Sequence, residues 1–522
     1  MKGEPQPPPG DVAGGAPVSW PFVAAAAALL VMFALYLALR IPIGIPGEWW
    51  TFYHVAFAGA GQVAWYALVL AAFLAAAFVF DRIAARVAAL TKAALAAALT
   101  AGYAFVIFST ATCGPYDGPE FVVPAFEFGA CGLFKREAAK VADPRQYLEG
   151  FPARLREYAK DYKLTVRVNN NPPGTTMAFY AMEQISRKYP ALADMASTPV
   201  FGSAFVPPNT AFATSILGAW LLLAGAALAF VPAYLVASNL LGRSAFFPAA
   251  VAMFAGSMLL FNPGNDTLQV FVFLWMAYFH LKALEGRRAV WGAAMGLAAA
   301  AGFFFSLATA VVVVVLFFWS ITRWLSGGLP ALRSDIAFWA ASAGGLLAGF
   351  GVLYLAAGYN SFATLLECYR NHGLFYQYFP RTYWKWLLYN PFEFAFFTGG
   401  PLSVAIGWYA IRRPVANLAE DGAARSRAAR GCVIATLVVM LLLNLSGKNS
   451  SEIDRLWVFF MPLLALPAVC LVRDARKGLA DLVVLAALQA ANVILLRVFV
   501  DVWRTEPFFK DIAKYMGSGG AT

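Results

Sequence analysis

The sequence predicts an all-α polytopic membrane protein, with about thirteen transmembrane helices and an extracytoplasmic helical loop region. Of its 522 residues, 61% are hydrophobic and 13% are charged, whereas a soluble chain would carry about a quarter charged residues. Apolar segments of bilayer-spanning length recur along the chain, and one long hydrophilic stretch, 112–209, interrupts them. These observations exclude an ordinary soluble domain.

The predicted spans are separated by mostly short loops. They cover 18–39, 61–80, 90–111, 210–240, 244–262, 267–284, 289–303, 305–322, 335–357, 392–411, 431–446, 456–473 and 479–498. The stretch 289–322 also fits a tight helix pair or a re-entrant hairpin.

The spans divide the chain into five regions. They are a Pro/Gly-rich, disordered cytoplasmic tail (1–17), the first three helices with the first external loop (18–111), a large extracytoplasmic loop (112–209), helices four to thirteen (210–500) and a C-terminal tail (501–522).

The positive charge indicates the orientation of the chain in the membrane. The formal net charge is +11, and most of the surplus falls in every second short loop. These loops share one face of the membrane, and positive charge is expected on the cytoplasmic face. With a cytoplasmic N-terminus, the loops near 262–266, 359–391 and 447–455 face outside. We therefore predict a multi-pass protein of a bacterial cytoplasmic (inner) membrane, with its functional face extracytoplasmic. Because topology accounts for the charge, we expect no nucleic-acid partner.

The first external loop holds a single carboxylate at the membrane boundary. Glu48 lies in a Gly/Pro turn directly before Trp49 and Trp50. Apolar neighbours would raise the pKa of Glu48 and suit it to general-base catalysis. The alternative is an interfacial turn with aromatic anchors and a solvated glutamate.

The long hydrophilic loop offers a second carboxylate, Asp117, and a rigid turn. In the turn, Pro172 and Pro173 restrict the backbone and Gly174 permits a sharp bend. The amides of Asn170 and Asn171 could bind sugar hydroxyls, or the turn could be purely structural.

The same loop also contains two cysteines. Cys113 and Cys131 could form a disulfide in an oxidising compartment, or remain two thiols.

Two later external segments combine charged and aromatic residues. Asp266 begins a helix, where a carboxylate could serve either a ligand or the helix N-terminus. Arg370, His372 and Arg381 lie in an aromatic–basic loop that could bind sugar and phosphate, or could be a membrane-surface helix. His372 is one of only three histidines and predicts no metal site.

The last polar run precedes the span at 456–473. It contains Lys448, Glu452 and Arg455, which are costly to hold at a membrane edge without partners. The two cations could neutralise a phosphate, and Glu452 could orient Arg455. The sequence has no Walker loop, dinucleotide-binding glycine pattern, HExxH motif or nucleophile elbow.

Together these segments resemble a bacterial integral-membrane glycosyltransferase of the GT-C superfamily, from an uncharacterised subfamily. The stretch Asn170-Asn171-Pro172-Pro173-Gly174 is similar to the His-Pro-Pro-Gly turn of several members, with Asn171 in place of the histidine. The run Glu452 to Trp457 resembles Gly-Glu-x-x-Arg-Leu-Trp, with extra residues between Gly447 and Glu452.

The resemblance implies a GT-C-like fold and transfer of a sugar from a polyprenyl-phosphate donor to a glycan, lipid or protein acceptor. Glu48 would deprotonate the acceptor hydroxyl, with Asp117 in reserve. Lys448 and Arg455, together with Arg370 or Arg381, would hold the lipid phosphate. Some relatives use a divalent metal such as Mg²⁺ or Mn²⁺; the isolated Glu48 argues against one here.

Two other classes stay open. A multi-pass transporter or lipid flippase would favour broken helices, and Gly344-Gly345 and Gly399-Gly400-Pro401 are candidate breaks. The sequence has no internal repeat, and its ionisable residues cluster outside the spans. An assembly factor without catalytic chemistry would have the same sequence pattern.

Overall fold

The computed structural model describes residues 18–46, 48, 51–54, 59–113, 132–161, 167–197, 210–411, 420–475 and 478–505. The whole first predicted tail, most of the last one, Asp117 and Cys131 lie outside these residues. Asp117 therefore stays a prediction, as does pairing of Cys131 with Cys113.

Helices dominate the described part of the chain, as the composition predicts. In order they are α1 Trp20–Ala38, α2 Ala60–Ala84, α3 Ala89–Thr112, α4 Gly132–Ala138, α5 Pro144–Glu149, α6 Phe151–Tyr158, α7 Gly174–Lys188, α8 Pro190–Ser197, α9 Thr210–Leu228, α10 Phe230–Leu241, α11 Phe246–Ala252, α12 Gly256–Leu260, α13 Asn265–Glu285, α14 Arg288–Phe305, α15 Ala308–Ala357, α16 Ser361–Tyr378, α17 Tyr383–Thr398, α18 Gly400–Ile411, α19 Glu420–Leu445, α20 Ile453–Leu456, α21 Phe460–Asp474 and α22 Gly478–Phe499.

Ten helical stretches within the described residues are long and apolar enough to cross a membrane, rather than thirteen. They are α1, α2, α3, Ala213–Leu241, α13, α14, the two parts of α15 on either side of a kink at Gly328, Gly422–Leu445 and α22.

The other three predicted spans fall on broken or short helices. Residues 244–262 form α11 and α12, 392–411 fall on α17 and α18, and 456–473 mostly on the 15-residue α21. Every residue of α11 is buried, as are most residues of α21. Hydropathy identifies these segments as apolar, but it does not distinguish a helix facing lipid from a broken helix packed among others.

Side chains of neighbouring helices satisfy the backbone where the inner helices break. Gln489 Nε2 donates to the carbonyl of Phe254, between α11 and α12, at 2.7 Å, and to that of Thr398, at the end of α17, at 3.0 Å. Tyr103 Oη donates to the carbonyl of Met253 at 2.9 Å. Such substitutes are required because bilayer hydrocarbon offers no hydrogen-bond partner.

Small residues allow α14 and α15 to approach closely. A Cβ on Gly296 would lie 2.0 Å from the Ser342 carbonyl oxygen, and one on Gly345 would lie 2.3 Å from that of Ala293. Such close contacts between glycines and facing backbone are typical of membrane helix pairs. The expectation of a break at Gly344-Gly345 is wrong, since α15 is helical there. The expected break at Gly399 is present between α17 and α18.

Loops predicted to share a face contact one another. At one end, Asp81 accepts a hydrogen bond from the Phe246 amide at 2.9 Å, and Arg243 pairs with Asp474 at 3.1 Å. Asp81, Arg243 and Asp474 come from loops predicted to be cytoplasmic, and Phe246 lies near the start of the span predicted at 244–262. The predicted external loops meet at the other end of the bundle.

A short antiparallel ribbon, which the sequence did not predict, pairs the segment after α1 with the segment after α22. Its strands are β1 Ile43–Gly44, β2 Thr51–His54 and β3 Val500–Thr505, in the order β1-β2-β3. Phe52 aligns with both Ile43 and Thr505. The segment after α22 therefore lies at the same end as the first predicted external loop.

We predict that Gly296→Ala destabilises the bundle, because the added methyl group meets the α15 backbone, which cannot move aside cheaply. Overpacking of this kind costs about 1–3 kcal/mol. The measurement is the thermal unfolding midpoint of the purified protein in detergent. Gly344→Ala is the control, because a Cβ there would have no atom within 4 Å. Equal midpoints for the two variants would contradict the packing argument.

Candidate functional site

Residues far apart in sequence converge at the predicted external end of the bundle. They come from the turn after α1, the segment before α7, the start of α13, the α16–α17 connection and the segment 447–457. The segment 447–457, which follows α19 and contains α20, is here called the polar segment.

The Glu452 carboxylate is the centre of this arrangement. Its Oε2 accepts hydrogen bonds from Arg455 Nη2 and, at 3.4 Å, from Arg167 Nη2. Arg455 Nε also lies 3.5 Å from Asp266 Oδ2. Three segments are thus joined by ion pairs in which Glu452 and Arg455 are almost fully buried. The expected orientation of Arg455 by Glu452 matches this geometry.

The backbone of the polar segment is strained at its centre. Ser451 and Glu452 have φ values of 84° and 56°, a region that non-glycine residues rarely adopt. Such strain persists only where the surroundings hold it in place. Asn390 Nδ2 donates to the Asn449 carbonyl at 2.9 Å, and Tyr376 Oη accepts from the Ser450 amide at 2.9 Å. The segment is therefore held rigidly by α16 and α17.

Arg381 lies beside the strained turn with part of its guanidinium unused. Its Nε donates to Ser451 Oγ at 3.0 Å, and Nη1 lies 3.4 Å from the Phe379 carbonyl oxygen. Nη2 is buried and has no hydrogen-bond partner among the described residues. Burial lowers the pKa of Arg381, while Glu452 opposes the shift. A buried cation with an unused donor is suited to bind an anion.

The charges of the cluster leave a net positive surplus. Arg167, Arg381 and Arg455 carry three positive charges against the two negative charges of Asp266 and Glu452, counted as ionised. Glu48 and Lys385 are paired separately. Buried Glu393 and Asp454 add one negative charge when they share one proton, and exposed Lys448 adds one positive charge, so the surplus stays at one positive charge. This part of the molecule can therefore accept a singly charged anion without leaving excess negative charge.

Glu48 is held by three donors at the start of α17. Its Oε2 accepts from the Thr382 amide at 3.0 Å and from Trp386 Nε1 at 2.6 Å, and its Oε1 pairs with Lys385 Nζ at 3.1 Å. Burial alone would raise the pKa of Glu48, but these hydrogen bonds lower it to about 2. The expectation of a raised pKa is wrong, because polar donors of α17 surround the carboxylate.

Other predicted site residues of the α16 region lie around the cluster. Lys448 is exposed, and its Nζ lies 5.4 Å from the centre of the Tyr369 ring. Arg370 is mostly exposed and pairs with Glu367 at 3.1 Å. His372 is half-buried, and burial, reinforced by Lys448, lowers its pKa. Lys448 belongs to the polar segment, whereas Arg370 and His372 lie on α16.

The asparagine–proline turn is less open than expected. Asn169 is buried and accepts from Asn371 Nδ2 at 3.0 Å, while Asn171 donates to the Arg167 carbonyl at 2.8 Å. Asn170 lies half-buried between them. Gly174 begins α7, where a Cβ would lie 2.5 Å from the Phe304 carbonyl oxygen, so close packing requires a glycine here. Asn171 therefore holds the turn itself and Asn169 joins it to α16, and the turn also places Arg167.

The described residues contain no group of three or more His, Cys, Asp or Glu side chains arranged to hold a metal ion. At Glu48 the carboxylate oxygens already accept from N–H groups, which would repel a cation at those positions. The site residues in the described ranges therefore do not fit a metal-binding set.

Sequence reasoning missed several residues of this site. Arg167 directly precedes the asparagine run, and Lys385 and Trp386 were seen only as part of an aromatic–basic loop. Glu393 lies inside a segment predicted to span the membrane, and an ionisable residue there is itself a signal. It faces the polar segment from α17.

Comparisons with protein-family models, with characterised proteins and with solved structures find no match to this chain. The ten long apolar helices found in the described part of the chain define the class: a multi-pass integral membrane protein.

We predict that Glu48→Gln lowers thermal stability at neutral pH and that the deficit shrinks in acid. The folded-state pKa of about 2 lies below the ~4.3 of an unfolded glutamate, so the stabilisation is present above ~4.3 and is lost as pH falls towards 2. The measurement compares unfolding midpoints of the two proteins from neutral pH to about pH 3. Glu149→Gln, at an exposed position, should show no such trend. A deficit independent of pH would contradict the assignment.

Proposed function

We propose that the protein is a membrane glycosyltransferase of GT-C type. It would transfer a sugar from a polyprenyl-phosphate-linked donor to a glycan, lipid or protein acceptor at the extracytoplasmic face of a bacterial inner membrane. The observation that carries the proposal is Arg381, whose buried Nη2 has no acceptor among the described residues and adjoins the Arg167–Glu452–Arg455 cluster. The resemblance of the turn and of the polar segment to GT-C enzymes supports the same class.

The net positive charge of the cluster suits the change in charge of the lipid phosphate during such a transfer. The donor phosphodiester carries one negative charge, which the surplus positive charge would match. When the sugar leaves, the lipid phosphate gains a second negative charge. Donors fixed in advance around that phosphate stabilise the developing charge without rearranging. Arg381 would bind the phosphate directly, and exposed Lys448 would contact it from the surface side.

Glu48 is the acceptor-side carboxylate in this proposal. The Thr382 hydroxyl also interacts with the carboxylate besides the three N–H donors, so an acceptor hydroxyl would take the place of one of these donors. With a pKa of about 2, Glu48 would accept the proton only as the attacking oxygen becomes acidic in the transition state. The fixed carboxylate would thus orient the hydroxyl first and take its proton late. In this proposal no metal ion takes part in the transfer.

One observation favours a second candidate, a transporter or lipid flippase. The breaks in α11–α12 and α17–α18 meet at Gln489, and adjoining broken helices are common at transporter substrate sites. Gln489 Nε2, however, already donates hydrogen bonds to the carbonyls of Phe254 and Thr398. The converging charges lie at the end of the bundle instead, which favours the transferase.

We predict that Arg381→Gln weakens binding of undecaprenyl phosphate, the lipid product common to donors of this kind. Loss of a charge-assisted hydrogen bond of about 1.5–3 kcal/mol corresponds to an affinity about 10–150-fold lower. The measurement is a titration of the detergent-purified protein, followed by native mass spectrometry. Arg187→Gln is the control, since Arg187 is an exposed helix residue paired with Glu183. Unchanged affinity in Arg381→Gln would remove the main support for the proposal.

We predict that Glu48→Gln abolishes sugar transfer while leaving undecaprenyl phosphate binding within about two-fold of the parent. The amide keeps the shape of the side chain but cannot accept the proton. The measurement is transfer of labelled sugar from lipid-linked donors extracted from membranes, with release of the lipid phosphate. Transfer at the parent rate would overturn the role of Glu48. Protein-dependent movement of the lipid across liposome bilayers without transfer would favour the flippase.

A further inference from the structure

Two acidic side chains lie fully buried where the polar segment meets α17. Glu393, on α17, is 1% exposed, and Asp454, on α20, is 0% exposed. Their carboxyl groups lie within hydrogen-bonding range of each other. All four carboxyl oxygens lack a hydrogen-bond partner of normal geometry among the described residues.

Among the described residues, the groups with the largest electrostatic effect on the pair carry no positive charge. Glu452 adds another negative charge on the same segment, and the phenols of Tyr389 on α17 and Tyr36 on α1 face Glu393. Arg455, next in the chain after Asp454, directs its guanidinium to Glu452 and Asp266 instead. The amides of Ile453 and Asp454 approach Glu393 without making a hydrogen bond of normal geometry.

Two ionised carboxylates in contact inside a protein repel strongly and are poorly solvated. Such pairs keep one proton, which one oxygen donates to the other group as a hydrogen bond. Burial raises the pKa of Asp454, and the adjacent Glu393 raises it further. With one proton, the pair becomes a strong charge-assisted hydrogen bond in place of a repulsion.

We infer that Glu393 and Asp454 form a proton-binding site, and that the shared proton fastens the polar segment to α17. This site is separate from the phosphate-binding role proposed for Arg381 and does not depend on it. The shared proton would act by positioning Glu452 and Arg455, because Asp454 lies between them in the chain. Loss of the proton would push α20 away from α17 and disturb the strained turn at Ser451 and Glu452.

The sign of the pH dependence follows from the buried acid. A folded-state pKa above the unfolded value means that the stabilisation is present below ~4 and is lost as pH rises through the folded value. This trend is opposite to that expected for Glu48. The two sites can therefore be separated in one set of unfolding measurements.

The test compares the unfolding midpoints of the parent, Glu393→Gln and Asp454→Asn from acid to alkaline pH in detergent. Each amide can donate permanently to the remaining carboxylate, so it replaces the shared proton. We expect the parent to lose stability relative to both variants as pH rises, and peptides covering 447–457 to lose hydrogen-exchange protection in the parent alone. A stability difference that is constant with pH would overturn the inference.

The control is Glu367→Gln. Glu367 is also buried at this end, but Arg156 and Arg370 pair with it at 3.0 and 3.1 Å. Its loss should cost stability at neutral pH, opposite in sign to the amide variants of the acid pair. The same alkaline gain in Glu367→Gln would show that the effect is not specific to the pair.

Infrared spectroscopy of the parent supplies a measurement that does not depend on any variant's stability. We expect a buried, protonated carboxyl band at neutral pH, which is lost in both amide variants that fold. Absence of this band in the parent would overturn the inference. Stabilisation of the parent by Mg²⁺ or Mn²⁺, reversed by a chelator and absent in Glu393→Gln, would also overturn it, because a metal ion would then occupy the pair.

Discussion

The ion-pair network around Glu452 is the interaction on which the predicted external end of the bundle depends. Its carboxylate binds Arg167, from the segment before α7, and Arg455, from its own segment, and Arg455 continues to Asp266 on α13. Removal of Glu452 would leave two buried or half-buried guanidinium groups close together. The strain at Ser451 and Glu452 is maintained because this network, Asn390 and Tyr376 hold the polar segment from several sides.

A second constraint operates in the interior. Where α11–α12 and α17–α18 break, backbone carbonyls inside the bundle lack intrahelical hydrogen bonds. Gln489 and Tyr103 donate hydrogen bonds to them instead. The break at Gly399 also ends α17, the helix that carries Asn390 and Glu393 towards the polar segment. The helix α17 therefore contributes both to the hydrogen bonding of the interior backbone and to the placement of the site residues.

The carboxylates at this end differ because of their partners. Glu48 has three N–H donors and a low pKa, Glu367 has two arginines, and Glu393 and Asp454 have each other. In the sequence, Glu48, Glu393 and Asp454 each lie close to aromatic residues at a membrane boundary. Which donors approach each one depends on helices that are hundreds of residues away, such as α17 for Glu48. This is why sequence reasoning assigned Glu48 a raised pKa and passed over Glu393.

The sequence by itself determined the membrane class, the positions of the apolar segments and the segments that carry charge, because bilayer thickness and hydropathy act on local composition. It also selected Glu48, Asp266, Arg381, Glu452 and Arg455, which lie in the converging segments. Only the tertiary structure decided that 244–262, 392–411 and 456–473 form short or broken interior helices and that Arg167 joins the cluster. It also decided that Asn171 holds its own turn while Asn169 binds Asn371 on α16. These outcomes depend on packing and hydrogen bonding between distant segments, which local composition does not encode.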